Sequence, residues 1–143
     1  MVMRCDKEEI MERKDLTYTD AIKICFSKFA DFSGRARRQE YWYFTVFNML
    51  IQAALTSLGR LVFGSGSDMA SVFAGIYSLV VFIPSLAVTW RRLHDVDKSG
   101  AYYLFMLIPV VGWIIVLIQL CKDSQPGENR FGVSPKYPNK YYR

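Results

Sequence analysis

The sequence predicts an all-α integral membrane protein: a short N-terminal amphipathic helix, a transmembrane helical hairpin and a third, proline-containing hydrophobic helix that either spans or re-enters the bilayer. Two observations predict this. Of the 143 residues 52% are apolar and 15% aromatic, which excludes a disordered chain. The charges are also strictly segregated: between Trp42 and Trp90 only Arg60 and Asp68 are charged, and between Ala101 and Cys121 nothing is. Charged blocks therefore alternate with segments that water does not favour. A soluble core of three such segments would lack the partner mass to cover them in so small a chain.

The elements follow in order. Residues 1–18 form a polar extension, MVMRCDKEEIMERKD at its start, without the apolar run and cleavage site of a signal peptide; an unprocessed chain is expected. Residues 19–41 hold an amphipathic helix and a basic-aromatic motif. Ile22, Phe26, Phe29 and Ala30 recur at helical spacing, suiting either an interfacial helix or one packed on the rest of the protein. Arg35, Arg37 and Arg38 then run into Tyr41, Trp42 and Tyr43, joining attraction for anionic lipid to an aromatic belt at headgroup level.

Residues 42–121 form the membrane domain. The run 42–63 would span roughly 33 Å as a helix, enough to cross a hydrocarbon core of about 30 Å. The run 70–90 follows the linker GSGSD, suited to a tight turn between antiparallel helices. The run 101–121 contains Pro109 and Gly112 in LIPVVGW, where proline removes a backbone donor and forces a kink or a re-entrant hairpin.

Positive-charge counting places the N-terminus in the cytoplasm, because residues 1–41 are rich in Lys and Arg and the first linker has none. The second connection, RRLHDVDKSG, belongs on the same side. A third full span would then export Lys122, Arg130, Lys136, Lys140 and Arg143 in the irregular polar tail 122–143. Three full spans is the preferred expectation. The alternative is a turn at Pro109–Gly112 with legs of roughly 12 to 14 Å, each reaching mid-bilayer.

Within the spans, Asn48, Gln52 and Thr56, with Thr45 and Arg60, share one helical face; Gly75, Ser78 and Ser85, with Ser71 and Thr89, form another. Interhelical packing between these faces is the main expectation, at about 0.6 kcal/mol per hydrogen bond. A water-lined pathway would require an oligomer. Arg60 is placed to snorkel outward.

Arg91, Arg92, His94, Asp95, Asp97 and Lys98 form the densest polar cluster. An imidazole beside a carboxylate suits acid–base chemistry, and Asp-x-Asp suits a hard cation. The preferred reading is structural: Arg91 and Arg92 enforce topology while Asp95 caps the third helix or pairs with an arginine. Three widely spaced cysteines, Cys5, Cys25 and Cys121, argue against disulfides and zinc, so no metal and no cofactor are expected. Acidic residues interleave with the N-terminal basic ones, and a nucleic-acid partner is not expected.

Four ordered motifs, FSGRARRQEYWYF, RRLHDVDKSG, IPVVGW and GENRFGVSPK, resemble the family called domain of unknown function 805, small bacterial inner-membrane proteins, over roughly residues 29–136. The matching positions are Phe32, Ser33, Gly34, Arg35, Arg37, Arg38, Tyr41 and Trp42; Arg92, Leu93, His94, Asp95, Ser99 and Gly100; Pro109 and Gly112; and Gly127, Asn129, Arg130, Gly132 and Pro135. The resemblance implies a bacterial inner-membrane location and names no reaction.

The expected function is a non-enzymatic lipid- or protein-binding scaffold, multi-pass, with its N-terminus cytoplasmic. Arg35, Arg37, Arg38, Tyr41, Trp42, Arg91, Arg92, Asn129 and Arg130 are the candidates for contact with anionic headgroups or a membrane-protein partner. Two alternatives stand beside it: an enzyme acting on a headgroup or phosphate through His94 and Asp95, and an oligomeric channel or transporter component lined by Asn48, Gln52 and Thr56.

Overall fold

The structure, a computed structural model, describes residues 16–64 and 68–137. Most of the polar extension, with Cys5, and the end of the tail, with Lys140 and Arg143, lie outside the described residues.

Helix α1, Tyr18–Ser27, buries Ala21, Ile24 and Cys25. Leu16, Ala21 and Ile24 close on Tyr43, while Cys25 joins Ala36, Phe44 and Val88. The helix thus packs on the rest of the protein; Phe26 meets Phe44 edge-on with ring centroids 5.6 Å apart while staying partly exposed, and Phe29, past the helix end, is exposed.

Helices α2, Arg38–Phe63, and α3, Met69–Asp95, run antiparallel. Their contact is closest at Gly59, where an added Cβ would lie 2.6 Å from that of Ala70. Further along, Tyr77 donates to Asn48 Oδ1 at 2.7 Å and Gln52 Nε2 donates to the Ala74 carbonyl at 3.4 Å. Both helices have the length and apolarity to cross a membrane, yet within their most apolar windows only 6% of α2 and 33% of α3 is buried. A soluble core helix would be largely covered. Here Leu50, Leu61, Leu79 and Phe82 point outward in a continuous apolar surface that calls for lipid. Both helices overrun their apolar segments, α2 starting at Arg38 and α3 continuing through Arg91 to Asp95. Helix α3 also passes through Pro84, which leaves the carbonyl one turn earlier without its usual amide donor.

The third apolar run is not one helix. Ser99 caps a 3-10 helix, Gly100–Leu107, by accepting from the Ala101 amide; after a turn at Ile108–Val110 comes α4, Val111–Cys121. The turn is tight: the Val111 amide donates to the Pro109 carbonyl at 2.8 Å across Val110, whose φ of 65° is the left-handed region that β-branched residues avoid. The two legs then meet closely. A Cβ at Gly112 would sit 1.8 Å from the Phe105 carbonyl oxygen, and Trp113 Nε1 donates to Met106 O at 2.9 Å.

Both ends of this hairpin return to the C-terminal end of α3. Gly100 lies so close to Trp90 that a Cβ would fall 1.7 Å from the indole, and Arg92 donates through Nε to Leu120 O at 3.2 Å and through Nη2 to Lys122 O. The third run thus folds as a hairpin with both ends at one end of α3, the geometry of the re-entrant alternative and not that of a single third helix. Proline has no amide to continue the ladder, and α4's 11 residues extend only about 16 Å, half of a hydrocarbon core. The expected capping role of Asp95 falls to Ser99, leaving Asp95 to the arginines. Within the tail, Glu128–Asn129 (β1) pairs antiparallel with Gly132–Val133 (β2), a two-residue ladder in an otherwise irregular segment.

Candidate functional site

The polar motifs converge at one end of the bundle. Four arginines, Arg35, Arg37, Arg91 and Arg92, and two carboxylates, Glu40 and Asp95, are buried there together. Burying an unpaired charge costs several kcal/mol, so such a cluster exists only where partners are provided. Arg35 Nε donates to Asp95 Oδ1 at 2.9 Å, and Arg92 Nη1 donates to Asp95 Oδ2. Asp95 is fully enclosed and holds two arginines. Arg91 Nη1 donates to Glu40 Oε1 at 2.7 Å, and the Cys25 thiol points at the same oxygen. Burial, reinforced by that carboxylate, pushes the Cys25 thiol well above its ordinary pKa, which makes it an unreactive core group.

The remaining donors of Arg35 fasten the tail. Nη1 donates to the carbonyls of Gly127 and Gly132, at 2.9 and 3.1 Å, and Nη2 to those of Asp95 and Gln125. Arg37 donates to the Pro135 carbonyl, Asn129 Nδ2 to the His94 carbonyl at 2.9 Å, and Arg130 Nη2 to the Asp97 carbonyl at 3.0 Å. A guanidinium's five donors in a rigid fork suit the way Arg35 stitches four carbonyls together, one at the end of α3 and three in the tail. His94 Nδ1 lies 3.1 Å from the Gly34 carbonyl, which can only accept, so that nitrogen carries the proton. The His94 ring stacks on Phe131, centroids 3.8 Å apart and planes within 4°.

Arg35, Arg37, Arg91 and Arg92, expected at the headgroups, are buried within the protein. Of the basic candidates, Arg38 and Arg130 stay exposed, Arg38 with a long contact of 3.5 Å to the Cys121 carbonyl. Trp42 is half-buried beside Tyr41, which itself packs against Phe44 and Leu93 clusters. His94 and Asp95 do not form an acid–base pair: each faces a different partner.

A second concavity lies within the spans. A groove of about 720 Å³ between α2 and α3 is lined by Asn48, Gln52, Thr56, Tyr77, Ser78 and Ser85, among others. Its polar groups are largely satisfied in place: Asn48 Nδ2 donates to Phe44 O, Thr56 to Gln52 O and Ser78 to Ala74 O, each within 2.8 to 2.9 Å. Gly75 is not in the helix interface, since a Cβ there would meet nothing within 4 Å; Gly59 takes that role.

A family model described as "Protein of unknown function (DUF805)" matches residues 29–133, and this stretch contains the buried arginines of the described residues and, apart from the Pro135 carbonyl held by Arg37, the carbonyls they bind. The chain belongs to the DUF805 family. Among its relatives, the inner membrane protein YhaH of Escherichia coli (strain K12) is 41% identical over 108 residues, covering 76% of this chain and 89% of YhaH. The inner membrane protein YhaI of the same strain is 40% identical over 109 residues, again covering 76% and 89%. The protein YiiR of that strain is 32% identical over 88 residues, covering 59% of this chain and 53% of YiiR. No solved structure matches.

In this DUF805 chain, Glu40 was missed by sequence reasoning although a signal existed: an acid at the mouth of an apolar run requires a buried partner. The role of backbone carbonyls as arginine acceptors carried no signal, because every residue has one.

Proposed function

We propose that this chain is a non-enzymatic scaffold of the bacterial inner membrane, inserted by α2, α3 and the re-entrant hairpin, whose polar cap sits at the cytoplasmic headgroup layer and binds anionic lipid or a membrane protein. One observation carries the reading: Asp95 is paired with Arg35 and Arg92 and Glu40 with Arg91, and Arg35 and Arg92 direct further donors to backbone carbonyls, although Nε and Nη2 of Arg91 find no partner, and this pairing supports a rigid platform over a reactive centre. The N-terminal motif, the second connection and the described part of the tail meet at one end of the bundle, which supports a single cytoplasmic side for them as charge counting favours. An acid–base role for His94 and Asp95 has no comparable support, since Asp95 is enclosed.

Paired reporters fused after Arg143, one active only in the cytoplasm and one only after export, test the sidedness; an exported tail overturns it. Binding is tested by lipid retention in native mass spectrometry. Replacing the exposed Arg38 with Gln and the half-buried Trp42 with Ala should lower retention of anionic lipid, and unchanged retention counts against the anchoring role of that rim.

A second reading, an oligomer formed through α2 and α3, rests on the polar groove of about 720 Å³ open along the spans. A purely monomeric chain in mild detergent and in bilayer discs would remove it.

A further inference from the structure

One cavity of the cap is built differently from the rest. It measures about 380 Å³ and is lined by Val96, Asp97, Lys98, Gln119, Lys122, Asp123 and Gln125, where α4 ends and the second connection begins. Its carboxylates already have cations. Asp123 accepts from Lys136 Nζ at 2.6 and 2.7 Å and from Tyr137 Oη at 3.1 Å, and Asp97 lies 3.2 Å from Arg130 Nε. Its lysines have none: among the described residues neither Lys98 nor Lys122 has a carboxylate at ion-pair distance, and the Lys98 ammonium lies 5.5 Å from the centroid of the Tyr102 ring. Two ammonium groups in one cavity therefore have no carboxylate at ion-pair distance.

The walls also hold acceptors without donors. Gln119 Oε1 is buried with no hydrogen-bond partner, and Asp97 Oδ1, despite its nearness to Arg130, lacks a hydrogen bond's alignment. Asp97 is held there by a left-handed backbone, φ 57°, an uncommon conformation for a residue other than glycine. The cavity thus offers donors with positive charge on one side and bare acceptors on the other. Directly beside it, Ile114, Leu117 and Ile118 of α4 present an exposed apolar surface.

We infer that this cavity binds the headgroup of an anionic phospholipid whose alcohol bears free hydroxyls, a glycerol phosphodiester of the phosphatidylglycerol type. The phosphate oxygens accept from Lys98 and Lys122, the headgroup hydroxyls donate to Gln119 Oε1 and Asp97 Oδ1, and the acyl chains lie along α4. Charge-assisted bonds to phosphate supply the affinity, and the unpartnered acceptors supply selectivity for a hydroxylated alcohol. A zwitterionic headgroup fits less well, because its ammonium would add a third cation to a cavity whose carboxylates are already paired. This assignment rests on the lipid-binding reading above and gives it a site.

The test uses the full chain in mild detergent, titrated in native mass spectrometry with phosphatidylglycerol and phosphatidylethanolamine of matched acyl chains. Phosphatidylglycerol should be held about tenfold more tightly, and Lys98→Gln with Lys122→Gln should remove that preference. Gln119→Leu should weaken phosphatidylglycerol by a few-fold without changing retention of phosphatidylmethanol, which lacks hydroxyls. Each variant is checked for wild-type helicity and melting. Equal retention of both lipids by the unaltered chain overturns the site and the anionic-lipid reading together. A preference that survives the double substitution overturns this site alone. Displacement of the lipid by sn-glycerol 3-phosphate at comparable concentration identifies a soluble phosphate ester as the ligand and overturns the lipid assignment.

Discussion

The two hairpins of this protein are alike in composition and opposite in outcome. The α2–α3 pair and the pair formed by the 3-10 helix and α4 are both apolar and antiparallel, yet only the first has helices long enough to cross a membrane. What separates them is three residues and one anchor. Pro109, Val110 and Gly112 create a tight turn and let two backbones touch, while Arg92 holds the carbonyls of Leu120 and Lys122 beside the C-terminal end of α3. Hydrophobicity selects burial in lipid; local turn chemistry and pinned ends select how deep the chain goes.

The anchor is the most damaging place to break that contrast. Asp95→Ala leaves Arg35 and Arg92 enclosed without their carboxylate, at an expected cost of about 3–5 kcal/mol. The tail should become protease-sensitive in inverted membrane vesicles, and a tail as resistant as wild type would contradict the pinning. Next comes the turn. Pro109→Leu with Gly112→Leu removes the break and fills the contact with Phe105, giving a continuous uncharged run of 21 residues, about 32 Å as a helix. A reporter after Arg143 should then change sides in a substantial fraction of chains. Retention of the wild-type side would show that the arginine anchor alone suffices.

A smaller effect is expected within the spanning pair. Gly59→Leu must displace Ala70, whose Cβ lies 2.6 Å from the position of the new atom, and overpacking of this kind costs about 1–3 kcal/mol. Heat stability in detergent should fall, whereas Gly75→Leu, facing open space, should leave it unchanged. Tyr77→Phe removes one interhelical bond and should cost only about 0.6 kcal/mol in the same assay.

The mildest change is a pH effect on the tail. Partial burial alone would raise the Asp123 carboxyl, but the Lys136 ammonium, the Ser124 amide and the Tyr137 hydroxyl together hold it below its ordinary value. A carboxyl depressed in the folded state contributes stability above its unfolded pKa, and that contribution is lost as pH falls through the folded value. The protection of amides around Ser134 and Tyr137, taken relative to intrinsic exchange at each pH, should therefore fall on acidification below about pH 4, and Asp123→Asn should abolish the dependence.

Much of this was legible in residue order. The two spans followed from run length and the absence of charge, and Pro109 with Gly112 marked the place where the third run breaks. The choice between span and hairpin was not legible, because a kinked span and a return differ only in where the far end is held, and that depends on Arg92 reaching carbonyls 28 and 30 residues away. For the same reason Arg35, Arg91 and Arg92 read as headgroup ligands: an arginine facing lipid phosphate and one facing backbone carbonyls have the same neighbours in sequence. Gly75 and Gly59 show the error in miniature, since both are small residues on apolar helices and only the rotation of α2 against α3 decides which is covered.

The sequence by itself determined the membrane class, the helical hairpin and the position of the third segment's break, because hydropathy, charge segregation and proline geometry are properties of contiguous residues. Tertiary structure alone decided that the tail returns to α3, that Asp95 joins two arginines, and that Lys98 and Lys122 share a cavity with the bare acceptor of Gln119. Those outcomes depend on groups distant in the chain meeting where water is excluded. A buried charge there must find a partner wherever the fold supplies one, and residue order does not say where that will be.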